Sequence, residues 1–200
     1  MKKIIFATKN KGKIKEINAI MSDMNVEVVS MEDAGINIDV VEDGNTFEEN
    51  AIKKAEEIMK VSGIITMADD SGLEIDYLDG APGVYSARYM GEDTPYSIKN
   101  SKILETMKDV KEENRTARFV SVIATAIPNK ETITTKGTVE GIIGYEIKGE
   151  NGFGYDPIFY VPEYNMTTAE MTPELKNSIS HRGKALRLMK EELKKELGDL

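Results

Sequence analysis

Asp69 and Asp70 stand side by side in GIITMADDSG, residues 63–72, where an apolar run with strand character meets two carboxylates, then Ser71 and Gly72. Open α/β sheets bind ligands beyond the carboxyl ends of their strands, so acids delivered there can hold a metal ion or activate a water. The same four residues are also ordinary turn chemistry, since Asp and Ser bond their own backbone and Gly accepts positive φ. Consecutive strand residues face opposite ways, so one acid of the pair, not both, can aim at a single ligand. Alternation does not say which.

A second candidate lies near the N-terminus. Residues 7–14, Ala-Thr-Lys-Asn-Lys-Gly-Lys-Ile, nearly match a P-loop, with Gly12-Lys13 placed after a strand and opening a helix. Ala7 replaces the first glycine of that motif, and Ile14 replaces the hydroxyl residue that would hold magnesium. What survives is a helix N-terminus with free N–H groups among Lys9, Lys11 and Lys13, which is an anion site on physical grounds. Any metal must then sit on carboxylates elsewhere. Asp69 or Asp70 could serve, joined by an acid of Val41-Glu42-Asp43-Gly44, although that segment reads equally well as a solvated surface loop. Asn151–Pro157, NGFGYDP, combines glycines that admit a ligand to the backbone with two aromatics that could stack on a planar base. Ser178–Lys184, SISHRGK, sets the single histidine beside an arginine at a helix start, a hydrogen-bonding pair suited to a ligand.

These groups belong to a 200-residue chain that is 40% hydrophobic and 30% charged, a length that suits one domain, 1–200, or at most two lobes. With no Cys and one His, disulfide frameworks and Cys/His zinc sites are excluded, and a catalytic metal would be a hard cation on oxygen ligands. Magnesium or manganese is the natural candidate. The net charge of −9 argues against a nucleic-acid polymer as partner, while the clustered lysines leave room for a small polyanion. No apolar run approaches the roughly 20 residues that span a bilayer, and the N-terminus runs straight into a strand. The expectation is a cytoplasmic protein with no membrane association.

The elements that must position these residues follow from periodicity. Residues 3–8 read as a buried strand, and Ile14, Ile17, Ala19, Ile20 and Met21 recur at helical spacing. Thr46 reads as an N-cap with Glu49 completing a capping box, and Gly63 ends that helix. Its apolar stripe is Phe47, Ala51, Ala55, Ile58 and Met59, with Asn50, Lys53, Lys54 and Glu57 on the opposite face. A strand then ends at the two acids and a second one spans residues 73–77. Thr94-Pro95 opens a helix reaching about Lys108. Residues 115–127 and 131–139 flank a Pro-Asn-Lys turn as a hairpin. Thr172-Pro173 opens another helical region, and the last helix, 183–197, buries Leu186, Met189, Leu193 and Leu197. The order fits a mixed α/β sheet flanked by helices.

In combination, ATKNKGK-KE (7–16), TFEENAIKKA (46–55), ADDSGLEID (68–76), GAPGVYSARY (80–89), GFGYDPIF (152–159) and SHRGKAL (180–186) resemble the inosine triphosphate pyrophosphatase family. Those enzymes hydrolyse ITP, XTP and dITP to the monophosphate and pyrophosphate. The resemblance implies an elongated mixed β-sheet in two lobes around a central nucleotide cleft, a magnesium cofactor, manganese being possible, and a homodimer. It implies that Thr8, Lys9, Asn10, Lys11, Gly12 and Lys13 form the phosphate-binding loop and that Lys53 reaches the same phosphates. Asp70 matches the catalytic acid and a metal ligand, Glu42 the second metal carboxylate, and Ser71 a substrate contact. Phe153, Gly154, Tyr155 and Asp156 match the base-binding segment, and Lys176, His181 and Arg182 the remaining substrate contacts. Lys9 stands where the family often has Gly. Two rival readings are a phosphohydrolase releasing the terminal phosphate and a non-catalytic nucleotide-binding regulator.

Overall fold

The computed structural model describes residues 2–198. Strand β1 (Lys2–Phe6) leads into helix α1 (Lys11–Met21) and strand β2 (Val26–Ser30). Helix α2 (Phe47–Ser62) precedes strand β3 (Thr66–Ile75), and helix α3 (Tyr96–Thr106) precedes β4 (Thr116–Ala126) and β5 (Ile133–Ile143). Short strands β6 (Phe159–Val161) and β7 (Met166–Thr167) and helices α4 (Pro173–Ile179) and α5 (His181–Leu197) complete the order. The seven strands form one sheet in the order β2-β1-β3-β4-β5-β6-β7. Strand β1 pairs in parallel with β2 and β3, while β5-β6 and β6-β7 are antiparallel, so the expected mixed α/β sheet is present.

The caps act as the local chemistry requires. Thr46 Oγ1 accepts from the N–H of Glu49 at 3.1 Å, and Gly63 ends α2 at φ 68°, in the left-handed region. Glu49 returns its carboxylate to the N–H of Asn45 rather than to Thr46, one residue outside the usual capping box. Two expectations change. Helix α3 has Pro95, not Thr94, at its cap position, and the Thr94 hydroxyl donates backwards to the carbonyl of Met90. Strand β3 does not stop at the acids; it runs from Thr66 through Asp69, Asp70 and Ser71 to Ile75. Ladder bonds to its neighbours override the local turn preference of Asp-Asp-Ser-Gly.

The chain divides into two compact units: Met1–Asp70 with Ser121–Gly137 and His181–Leu200, and Ser71–Val120 with Thr138–Ser180. In the first, Ile4, Phe6, Ile17, Met67, Leu186 and Met189 pack together, with Leu193 also buried and Leu197 at the margin of the cluster. In the second, Leu73, Ile103, Phe119, Ile143 and Phe159 form the core, and the Phe119 and Phe159 rings lie 4.4 Å apart. A buried arginine ties this second core. Arg115 is 1% exposed and donates to the carbonyls of Met107, Val110, Ile143 and Gly144, closing the end of α3 onto the end of β5. The exposed Tyr145 ring covers the guanidinium at 4.2 Å. Arg115→Leu strands several buried carbonyls and is expected to lower unfolding free energy by about 3 kcal/mol, read as a reduced urea midpoint at unchanged slope.

Candidate active site in the first unit

Strand β1 delivers the site by ending. Its pairing with β3 finishes at Phe6 opposite Met67, with a last bond from the Ala7 N–H to the Met67 carbonyl at 2.8 Å. Asp69 and Asp70 follow immediately on β3, beyond the carboxyl end of β1. The two acids therefore lie where the rule for open α/β sheets would place a ligand of β1, although β3 itself continues.

Both acids are buried, Asp69 at 1% and Asp70 at 6% exposure, and each has its own partners. The Asp69 carboxylate meets the Lys13 ammonium at 3.0 Å and the Arg182 guanidinium at 3.3 Å, and Arg182 in turn pairs closely with Glu16. Asp70 accepts from the side-chain amide of Asn50 at 3.1 Å and faces the Lys54 ammonium at 3.7 Å. Lys54 also donates to Glu42 at 2.6 Å. One ammonium thus stands between the two carboxylates expected to hold a metal.

Electrostatics separate the two acids. Burial pushes the Asp70 carboxyl up to about 6, with Glu42 adding to the rise and Lys54 and Lys13 opposing it. For Lys54, burial pulls the pKa down, but Asp70, Asp69 and Glu42 together hold it above the ordinary value. Burial lowers Lys13, and Arg182 and Lys54 add to the fall against the pull of Asp69.

The remaining expected residues divide between the units. In the phosphate-loop segment, Asn10 Oδ1 accepts from the N–H groups of Gly12 and Lys13 at 2.9 and 3.2 Å, and Thr8 Oγ1 accepts from the Asn10 N–H. Those two N–H groups are engaged by the helix cap rather than open. Lys9 pairs with Asp39, and Lys11 is exposed. Lys53 lies against Asp43 at 2.6 Å, so α2 brings Lys54, not Lys53, to Glu42 and Asp70. His181 and Arg182 open α5, where β5 approaches without a side chain: a Cβ at Gly137 would lie 2.2 Å from the His181 carbonyl oxygen.

The second unit holds a separate group. Asp156 accepts from the Phe153 N–H at 2.8 Å, from Lys176 Nζ at 2.7 Å and from Thr168 Oγ1 at 2.8 Å. The same ammonium lies 4.8 Å from the centre of the Phe153 ring. Tyr155 is buried, donates to the Ser86 carbonyl at 2.7 Å and meets Tyr96 edge-on, while Phe153 is half-buried. The Gly154 carbonyl accepts from Asn100, and Ser71 is half-buried on β3.

Asn50 and Lys54 are the residues that periodicity placed wrongly. Asn50 is fully buried beside Phe47 and Ala51 rather than on the face opposite the apolar stripe. Positions 47, 50, 54 and 58 lie at the i, i+3, i+4 spacing of one helical face, so two polar residues on that stripe were the available signal. Among the described residues no group of three or more acidic or histidine side chains converges as a metal site.

Without a metal bound, the Asp70 carboxyl is expected to titrate near pH 6. Because this exceeds the ordinary 3.8, the protonated form favours the fold: the contribution is complete below about pH 4 and is lost as pH rises through 6. Carboxyl 13C shifts of labelled protein, assigned with Asp70→Asn, check this, and a midpoint near 4 would refute it.

Comparison with known proteins identifies the family of the chain. The model of the Ham1 family matches residues 4–192. A dITP/XTP pyrophosphatase of Clostridium perfringens is 52% identical over 97% of this chain and 98% of its own length. The solved Ham1 protein of Staphylococcus aureus matches with a TM-score of 0.87 at 44% identity, covering 98% of this chain and 100% of its own. A HAM1 protein from Coxiella burnetii gives 0.88 at 39% identity with the same coverage.

Proposed function

The chain belongs to the Ham1 family, and from that premise we propose that it hydrolyses nonstandard purine nucleoside triphosphates, dITP, ITP and XTP, to the monophosphate and pyrophosphate. The observation that carries the reading is the buried Asp70 carboxyl, held among Lys54, Asn50 and Glu42. A buried carboxylate in that setting can accept a proton from water.

The donor set fits a hard divalent cation. Glu42 and Asp70 both offer oxygen ligands close to the Lys54 ammonium, and a cation held by them would lie beside that ammonium rather than in its place. Two carboxylates completed by phosphate oxygens and water suit magnesium, or manganese, better than an all-protein cage. Such a cation, when bound, neutralises charge on the phosphate oxygens.

Asp70 takes a proton from a water at its carboxylate oxygen as that water attacks the α-phosphorus. The bond from the α-phosphorus to the bridging oxygen breaks, and pyrophosphate leaves. Lys54 and Lys13 supply fixed positive charge as charge develops on the phosphate oxygens, the source of most of the expected acceleration. The segment Thr8–Lys13 provides Lys9 and Lys11 for the outer phosphates, and Lys53 and Ser71 remain assigned to substrate. For the base, the half-buried Phe153 ring supplies a stacking face, with Gly154, Tyr155 and Asp156 shaping the segment. Lys176, His181 and Arg182 carry N–H donors, which match a 6-keto oxygen and mismatch a 6-amino group. A homodimer acting on the cytoplasmic nucleotide pool completes the reading; it rests on family resemblance, and analytical ultracentrifugation tests the assembly.

A panel of ITP, dITP, XTP and ATP with magnesium is expected to yield pyrophosphate, not orthophosphate, with the 6-keto purines ITP, dITP and XTP far ahead of the 6-amino ATP. Equal turnover of ATP and ITP would sink the specificity, and orthophosphate release would favour a terminal-phosphate hydrolase. Asp70→Asn is expected to lose at least about 10³-fold in kcat, and Lys54→Gln about 10²-fold, in the range of general-base and electrostatic contributions.

A further inference from the structure

The segment that carries Glu42 is strapped to α2 residue by residue. Glu42 accepts from Lys54 at 2.6 Å, Asp43 from Lys53 at 2.6 Å, the Gly44 N–H donates to Asn50 Oδ1 at 2.8 Å, and the Asn45 N–H to Glu49 at 2.6 Å. Three of these four contacts involve charged side chains, two of them exposed and the Lys54–Glu42 pair part-buried. The fourth is different, because Asn50 is fully buried and its amide makes a second bond, from Nδ2 to Asp70 Oδ2 at 3.1 Å. One planar group therefore touches the backbone two residues from Glu42 and the carboxylate of Asp70.

We propose that Asn50 is a positioning residue that sets the spacing between Glu42 and Asp70, and that Gly44 is small so that this contact can form. The inference rests on the reading that these two carboxylates hold the catalytic cation.

An amide is the group this position needs. Its oxygen must accept from an N–H while its nitrogen donates to a carboxylate, so the reverse orientation would set oxygen against oxygen. Ala leaves a buried N–H and a buried carboxylate oxygen without this partner. Asp would add a like charge beside Asp70, and Gln would carry the amide one methylene too far. Gly44 enforces the geometry from the other side: a Cβ there would lie 2.7 Å from Asn50 Oδ1 and 2.8 Å from the Glu49 Cβ, so any side chain lifts the strap off the helix. Partners that orient metal ligands typically contribute 10–100-fold to metal affinity.

The test is Mn2+ binding to the full-length protein without nucleotide, by electron paramagnetic resonance, alongside magnesium-activation curves for ITP hydrolysis. Asn50→Ala is expected to weaken Mn2+ binding about 10–100-fold and to shift the magnesium midpoint upward, with much of kcat recovered at saturating metal. Gly44→Ala, which leaves the amide in place, should shift both in the same direction and carries the test if Asn50→Ala fails to fold. A folded Asn50→Ala or Gly44→Ala protein with wild-type Mn2+ affinity overturns the inference. Glu42→Gln and Asp70→Asn separate the two levels: if these also bind Mn2+ like wild type, the assignment of the cation site itself fails.

Discussion

A strand that carries two adjacent carboxylates into the interior must find compensating partners on both of its faces, because an unpaired buried charge costs several kcal/mol. Strand β3 does this at Asp69 and Asp70, and much of the first unit is arranged to meet the demand. Asp69 draws in Lys13 from α1 and Arg182 from α5, and Glu16 balances Arg182. Asp70 draws in Asn50 and Lys54 from α2, and Lys54 brings Glu42 with it. Three helices and the segment before α2 are therefore referred to a single dipeptide. Each helix also buries its own apolar stripe, so the ionic contacts set register on top of packing that already favours association.

The way β1 ends makes this dipeptide reachable. Its last ladder bond reaches Met67, two residues before Asp69, and the chain then turns away into the loop preceding α1. Had β1 run on beside β3, its backbone would occupy the edge where Lys13 approaches Asp69. The loop that replaces it carries Asn10, whose side chain caps α1 and so fixes the direction in which Lys13 leaves the helix. Cap, helix start and ion pair form one causal chain.

What could be read from the residues was local, and what could not was long-range or two-faced. The bounds of α2 were legible because Thr46 and Gly63 terminate it with their own bonds and backbone angles. The continuation of β3 was not, because Asp-Asp-Ser-Gly favours a turn in isolation and only pairing with neighbouring strands decides otherwise. Asp70 and Glu42 were reached through family resemblance, since the lysine they share lay on the face that periodicity set opposite the apolar stripe. The pairing of Asp69 with Arg182 joins residues 113 apart and leaves no trace in either segment alone. Asn50 was hidden for a different reason: a buried amide on an apolar stripe looks like a misplaced surface residue until both of its partners are seen.

The contrast between the two acids explains why one is suited to chemistry and the other to structure. Asp69 sits against two cationic groups at about hydrogen-bonding distance, a lysine and an arginine, so its charge is locally matched. Asp70 faces its ammonium at the longer distance of 3.7 Å, and that ammonium is shared with Glu42, which holds it at 2.6 Å. Burial makes the charged form of Asp70 costly, and Glu42 adds to the rise to about 6 against the pull of Lys54 and Lys13. A proton or an added cation offsets that cost. Near neutral pH, where the proton leaves, the demand is for a cation beside Asp70. A nucleotide arriving with its divalent ion would meet that demand, whereas at Asp69 the corresponding demand is already met by Lys13 and Arg182.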